Sequence, residues 1–502
     1  MAIKRYFASQ DNTITNAFKA NLRTRGTGSN MGASDILEAF VIHGQTSASI
    51  DAANAEQARI LIQFPIDAIV SDVTDGVIPS SSVEYRLKMF NAPHGDSLPY
   101  NYPLKVAVVS GSSWDEGRGL DMNEYTDFGV CNWISSSTGS PWVSQGGDFY
   151  NSASSGDTSY SSSFYLSGGA EDLDVDVTFA VNLWRSDGIG TASNFGFMIK
   201  HDDDIISGSS GSFFTKRFFG RTSEYFLKRP YIEARWDDSR KDQRGVTVIS
   251  SALAPPADNL NTVYLYNRIR GQLRDIPSLT GDDQIIYVSF YSGSNANEPT
   301  GHRLHVLDSA GLVQQEITGG IVVENGVART GIYSCSFAIT SSLSTVHDVW
   351  HSGSVEYFTG SISLEGLTAS FAQYETQHIS DITNLKKSYV KGQKPVFRVY
   401  AREKNWSPNV YSVAVSEPPT EIIEDAYWRL FRVVDNLDVV PYGTGTYNHT
   451  RMSYDVSGNY FEVDTSILDQ GYAYGLQFVY YLNGKYVEQP EIFKFKVDEE
   501  PV

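Results

Sequence analysis

The chain has 502 residues and a net charge of −20, and a surface this acidic repels phosphate, which excludes nucleic acid and anionic membrane as partners. Its two cysteines, Cys131 and Cys335, are too few for a disulfide framework and read as buried free thiols. With 30 Tyr, 26 Phe and 42 Gly it has the composition of an all-β protein with turn-rich connections, long enough for about three domains.

In chain order, no apolar h-region follows Met1 and no run of about 18 apolar residues occurs anywhere, so a protein folded in a cytoplasm without a membrane span is expected. The glycine-rich segment 26–32 fits a loop feeding a strand at 33–42 better than a helix start. Residues 59–66 are a short apolar run stopped at Pro65, a buried strand. Residues 83–90 alternate, with Val83, Tyr85, Leu87 and Met89 inward and Glu84, Arg86 and Lys88 outward, and 104–108 repeat the pattern. The clearest alternation is at 173–183, where Leu173, Val175, Val177, Phe179, Val181 and Leu183 predict one long strand. Residues 194–200 predict another. Wet outer faces imply antiparallel sheets, hence a two-sheet sandwich of jelly-roll type.

Residues 216–238 read as a polar loop, then Pro230, then a closing strand carrying Tyr231, Ile232, Ala234 and Trp236 beside the charged Glu233 and Arg235. The charged tract 239–244 has no apolar periodicity and reads as a linker, which sets a first domain at 1–240. Strands at 262–268, 284–291 and 303–307, the Asn325-Gly326 turn, and Tyr333 two residues before Cys335 as in a tyrosine corner predict an immunoglobulin-like sandwich at 245–370. Strands at 396–401, 426–433, 460–463, 476–481 and 492–497 predict a C-terminal sandwich at 371–502. The fold class is therefore all-β, with β-sandwiches in series.

Chemical motifs are few. His347 and His351 have the spacing of a zinc-protease helix, but Asp348 replaces the glutamate base and the surroundings are β, so surface or packing roles are expected. Asp202-Asp203-Asp204 and Asp282-Asp283 suit either a calcium site or plain turns, and turns are the simpler reading. With no nucleophile elbow and no phosphate or dinucleotide loop, no catalytic residue, metal or cofactor is predicted.

Several segments carry a resemblance. Asp11 with Asn30-Met31-Gly32-Ala33-Ser34, the strands at 59–64 and 83–90, Trp114-Asp115-Glu116-Gly117, Trp133, Pro141-Trp142, Gly146-Gly147-Asp148-Phe149, Trp184 and Asn194-Phe195-Gly196 stand in the order of the DNRLRE domain. That module is a β-sandwich of bacterial surface proteins. Its Ser-Arg-Glu signature is replaced here by Gly220-Arg221-Thr222-Ser223-Glu224. The resemblance implies polysaccharide binding without catalysis, with Trp114, Trp133 and Trp142 as candidates to stack on sugar rings. Alternatively these indoles pin long loops to the sandwich.

The whole chain also resembles structural proteins of large marine tailed bacteriophages, from Met1 through Asp35 and again around Pro441-Tyr442-Gly443 and Ser457-Gly458-Asn459. This implies a non-enzymatic virion protein, assembled in the host cytoplasm, on the neck, tail or head surface. Its partners would be other virion proteins and further copies of itself. A module attaching to host surface glycans is the alternative, and a depolymerase the third.

Overall fold

The computed structural model describes residues 2–43, 55–93, 100–123, 130–150, 160–186, 193–207, 213–251, 254–295, 298–366, 377–406, 420–445 and 447–499. Among them no helix is long and apolar enough to cross a membrane. The chain is nearly all β and forms serial β-sandwiches. It falls into two compact units, Ile3–Trp236 and Asp237–Val502 with Met1–Ala2. The boundary expected at 370/371 lies outside the described residues.

In the unit Ile3–Trp236 one sheet has four strands in the order Ile3–Phe7, Tyr231–Arg235, Glu84–Met89 and Leu173–Asp176. The other runs Phe213–Phe219, Ile36–Ile42, Glu56–Gln63, Phe197–His201, Tyr102–Val108 and Ser161–Leu166, with Gln10–Thr15 also paired to Glu56–Gln63. Antiparallel register aligns Phe197 with Ile62 and Val108, and Ile199 with Ile60 and Val106. Alternation sends these side chains to one face and Leu61 and Met198 to the other. All are buried, so the central strands are covered on both faces. That explains their uninterrupted apolar runs.

Several expectations change here. The alternation at 173–183 does not make one strand: Leu173–Asp176 pairs with Glu84–Met89, and a helix follows at Thr178–Arg185. The pairing ends at Asp176 opposite Arg86; at the strand's start Thr178 Oγ1 accepts the Tyr85 N–H at 2.9 Å. Val177, Ala180, Val181 and Trp184 then bury a helical face, so the segment satisfies both periods and tertiary pairing chooses. A second helix, Ile66–Thr74, starts directly after Pro65, with Ile66 and Ile69 buried.

The stretch 216–238 is also altered. Lys216 to Phe219 belong to the strand Phe213–Phe219 rather than to a loop. Tyr231–Arg235 is an interior strand, buried at all five positions. Glu233 therefore lies in the sandwich, 2.8 Å from Arg5 and 2.7 Å from Arg235. Burial opposes the ionised form, but Arg5 and Arg235 hold the Glu233 carboxyl down at about 2.

The unit Asp237–Val502 holds two sandwiches. In the first, Thr247–Val248, Val355–Glu365, Thr345–Ser352, Ile286–Asn295, Ile317–Glu324, Val327–Phe337 and Asn261–Tyr266 are hydrogen-bonded in that order, with Glu298–Arg303 also on Ile286–Asn295. In the second, one sheet is His378–Ile382, Val396–Glu403, Gly458–Glu462, Ser453–Asp455, and the other is Ser388–Val390, Phe493–Asp498, Ala473–Leu482, Ala426–Arg432, Leu437–Val440. In both sandwiches a short early strand lies parallel to the last long strand: Thr247–Val248 on Leu364 and Glu365, and Ser388–Val390, which follows His378–Ile382, on Lys496 to Asp498. The tyrosine corner is in the second of the two. Tyr474 Oη donates to the Asp469 carbonyl at 2.7 Å and accepts the Asp469 N–H at 2.8 Å. Tyr333 instead donates to Gln284 Oε1 at 2.6 Å and accepts the distant Ile276 N–H at 2.9 Å.

The tract 239–244 is not a free linker. Its backbone exchanges bonds with Tyr454, and Arg240 pairs with Glu324. Arg244 Nη1 and Nη2 reach both oxygens of Asp348 at 2.9 and 2.7 Å. Asp348 is fully buried and also accepts the Trp350 Nε1–H at 2.7 Å. Gly360 lies opposite Asp348 in the next strand, where a Cβ would stand 2.9 Å from Arg244 Nη1 and from Asp348 Oδ1. Removing one partner of a buried pair typically costs about 3–5 kcal/mol. Urea unfolding should therefore show Asp348→Ala destabilised by about that much, and Gly360→Ala shifted in the same direction. A loss below about 1 kcal/mol, the range of a surface pair, would remove this role from Asp348.

Candidate functional site

Asp11, Asn30 to Ser34, Trp114 to Gly117, Trp133, Pro141-Trp142 and Gly146 to Phe149, fragments of the DNRLRE-like order, gather on the outer face of the seven-strand sheet, where residues 110–123 and 130–149 are held by a buried polar node. Asn30 Nδ2 donates to the carbonyls of Glu116 and Cys131 at 2.8 and 2.7 Å, and its Oδ1 accepts the Gly32 and Gly119 N–H groups, each at 3.0 Å. Asn12 Oδ1 accepts the Met31 N–H at 3.0 Å. Asp11 donates its N–H to Glu116 Oε1 at 2.8 Å, and its carboxylate Oδ2 accepts the Arg221 N–H at 2.6 Å. Arg221 grips Glu116 through Nε, at 2.6 Å, and Nη2. Gly117 at φ +76° leaves room for the Asn30 amide. The Asn12 and Asn30 amides are turned inward, so the node fixes loops.

Asp11 is the exception in charge. Its Oδ1 is buried without a hydrogen-bond partner among the described residues, and burial pushes its carboxyl up to about 7 despite the Arg221 N–H.

Beneath the node Trp114, Trp133 and Trp142 are 2%, 4% and 5% exposed, packed with Ile14, Leu61, Val109, Cys131 and Met198. Trp114 Nε1–H donates to the Phe195 carbonyl at 2.8 Å and Trp142 Nε1–H to the Asn132 carbonyl at 2.9 Å. The Arg59 guanidinium covers Trp133 with its carbon 4.9 Å from the ring centroid. None of the three indoles presents a face for a sugar. They pin the long loop to the sheet, because an indole brings a large apolar area whose one N–H a loop carbonyl satisfies.

Two other places are open. A cavity of about 300 Å³ lies where the edge strand Ser161–Leu166 meets the start of the helix Thr178–Arg185. Val106, Val108 and Phe197 are apolar members of its lining; Ser161, Ser162, Asp176 and Thr178 are polar ones. Tyr160 and Phe179 stand edge to face at 5.4 Å, and Tyr150 stacks on Tyr160 at 4.8 Å. The second place is a tyrosine cluster on the C-terminal sandwich. Tyr447, Tyr481 and Tyr486 are 48%, 42% and 47% exposed, with Tyr481 4.8 Å and Tyr427 6.0 Å from Tyr486. The Arg429 guanidinium lies 5.5 Å from the Tyr442 ring, and Tyr442 Oη donates to Glu488 at 3.0 Å. Sequence reading passed over both sites. Tyrosines scattered over 427–486 come together only once strands 426–432 and 473–482 pair.

His347 and His351 lie on the strand Thr345–Ser352, and His351 Nε2 is 2.8 Å from Ser289 Oγ. The Asp202 side chain accepts the Asp204 N–H at the start of a helical turn, and Asp203 pairs with Lys200 at 2.5 Å. Among the described residues no group of three or more His, Cys, Asp or Glu is placed to hold a metal ion. Both thiols are buried, which raises their pKa values.

No family model and no curated protein matches the chain. Among solved structures it is similar to the Yersinia pseudotuberculosis adhesin InvE, at 11% identity over 50% of this chain and 56% of that one, with a TM-score of 0.15. It thus spans a little over half of the adhesin. It is also similar to tandem Ig repeats of Dlar (10% identity, 52% and 96% covered, TM-score 0.13) and to a chimeric titin Z1Z2 tandem (11%, 51% and 95%, 0.15).

The Asp11 carboxyl carries a pH signature. Its folded value of about 7 exceeds the ordinary 3.8, so the folded state binds the proton more tightly; the stabilisation is complete below 3.8 and is lost as pH rises through about 7. Unfolding free energy should fall across that window by at most about 1.4 kcal/mol per pH unit from this group. Asp11→Asn keeps an acceptor for Arg221 and should flatten the fall. An unchanged slope in the variant would contradict the assignment.

Proposed function

We propose that this chain is a non-enzymatic structural protein of a tailed-bacteriophage virion, an accessory or adaptor on the neck, tail or head surface that docks other virion proteins through its β-sandwich faces. The observation that carries the reading is the tyrosine cluster. Tyr447, Tyr481 and Tyr486 expose large, stiff rings beside Arg429, the residue types that concentrate at protein interfaces. Exposed aromatic clusters of this kind are covered in an assembly more often than left wet. Trp428, Phe461, Phe478 and Phe495 are buried in the core of the same sandwich, which suits a part that must hold its shape.

The cavity beside Tyr160 and Phe179 favours a second reading, a module attaching to host glycans. Rings at right angles above serine and threonine hydroxyls match the two faces of a sugar, apolar C–H and polar O–H. In this reading the tryptophans are scaffolding.

Mass spectrometry of purified particles should find the chain, and Tyr481→Ala with Tyr486→Ala should lower its incorporation at least tenfold while the purified variant still melts cooperatively. Particles that lack the chain would refute the first reading. Glycan-array binding that disappears in Phe179→Ala would favour the second.

A further inference from the structure

Lys216 is a fully buried amine with no use in the sites above. It sits in the strand Phe213–Phe219, and Nζ donates to Asn91 Oδ1 at 2.7 Å, to the Gly169 carbonyl at 3.0 Å and to the Glu171 carbonyl at 2.7 Å. The Phe218 ring centroid lies 5.2 Å away. None of the three acceptors is a carboxylate, and a buried ammonium without a counter-charge is unfavourable. Desolvation brings the lysine down to about 8, with Glu171 and Asp172 opposing it from a distance. A minor fraction of the amine is therefore neutral and nucleophilic at pH 7, and more of it as pH rises through about 8.

Its neighbour is held in place. Phe219 N–H donates to the Phe90 carbonyl and Ala92 N–H to the Arg217 carbonyl, both at 3.0 Å, so the main chain on either side of Asn91 is bonded to the strand that carries Lys216. The Asn91 main-chain N–H donates to Asp172 Oδ1 at 2.7 Å, a further tie on the backbone at this position. Rotation about the soft terminal torsion of the asparagine, which swings Oδ1 aside, turns a face of its carbonyl group toward Nζ.

We infer that Lys216 and Asn91 join in an intramolecular isopeptide bond. The amine lone pair attacks Asn91 Cγ and a C–N bond forms. The proton shed by Nζ is taken up by the amide nitrogen. The old Cγ–Nδ2 bond then breaks and ammonia leaves. One amide replaces another, so no oxidant, reductant or cofactor enters. The bond would tie the strand Phe213–Phe219 of one sheet to the chain leaving Glu84–Met89 of the other, positions 125 residues apart in sequence.

Intact-mass measurement of the purified full chain tests this directly. The expected mass is lower than the sequence mass by one ammonia, with a branched tryptic peptide joining positions 91 and 216. Asn91→Ala and Lys216→Arg should both return to their sequence masses. A succinimide at Asn325-Gly326 or Asn483-Gly484 loses the same mass, but it hydrolyses in mild base and gives no branched peptide. A chain at full sequence mass, or a mass deficit without the branched peptide, overturns the inference.

Discussion

A carboxylate inside a β-sandwich needs a cation to reach it, and for Asp348 that cation arrives from the chain that precedes the sandwich. Arg244 enters beside Gly360, takes both carboxylate oxygens, and leaves the Trp350 N–H as the third contact. Once it is docked, the residues around it have little freedom. Arg240 faces Glu324, the backbone at 240–242 bonds to Tyr454, and Thr247–Val248 is delivered to the edge of Val355–Glu365. The first unit follows the same logic at Glu233 between two arginines. In each case a buried charge marks where distant segments must meet. Such pairs add little net stability over apolar packing, but an unmatched register leaves a charge stranded, so wrong arrangements are penalised.

The local alternation of Val83 to Met89 was readable because it matches a strand with buried Tyr85, Leu87 and Met89 against half-buried Glu84, Arg86 and Lys88. The segment 173–183 was not, since its apolar residues fit a strand and a helix alike and the choice falls to the length of the partner strand. Charged residues misled most. Glu233, Arg235, Lys216 and Arg244 look like surface or linker in sequence, and their burial depends on partners far away in the chain. The tryptophans posed the opposite problem. Nothing local distinguishes an indole that stacks on a ligand from one that anchors a loop; here the carbonyls of Phe195 and Asn132 decide.

The node around Asn30 changes what the DNRLRE-like fragments mean for function. Side chains that satisfy one another and the ends of one long loop keep that loop on the sheet whatever the surface binds. A likeness in those fragments therefore speaks to the scaffold, and recognition has to be sought where the scaffold is open, at the rings of Tyr160 and Phe179 or at the tyrosines of the last sandwich.

The parallel strand Thr247–Val248 has a mechanical side. In the sandwich it opens, the chain comes in alongside the strand on which it goes out, Thr247–Val248 with Leu364 and Glu365. A pull separating entry from exit acts along these strands, so their hydrogen bonds are loaded in shear and must fail together instead of unzipping one by one. Such a clasp makes this sandwich resist tension along the chain better than a sideways peel.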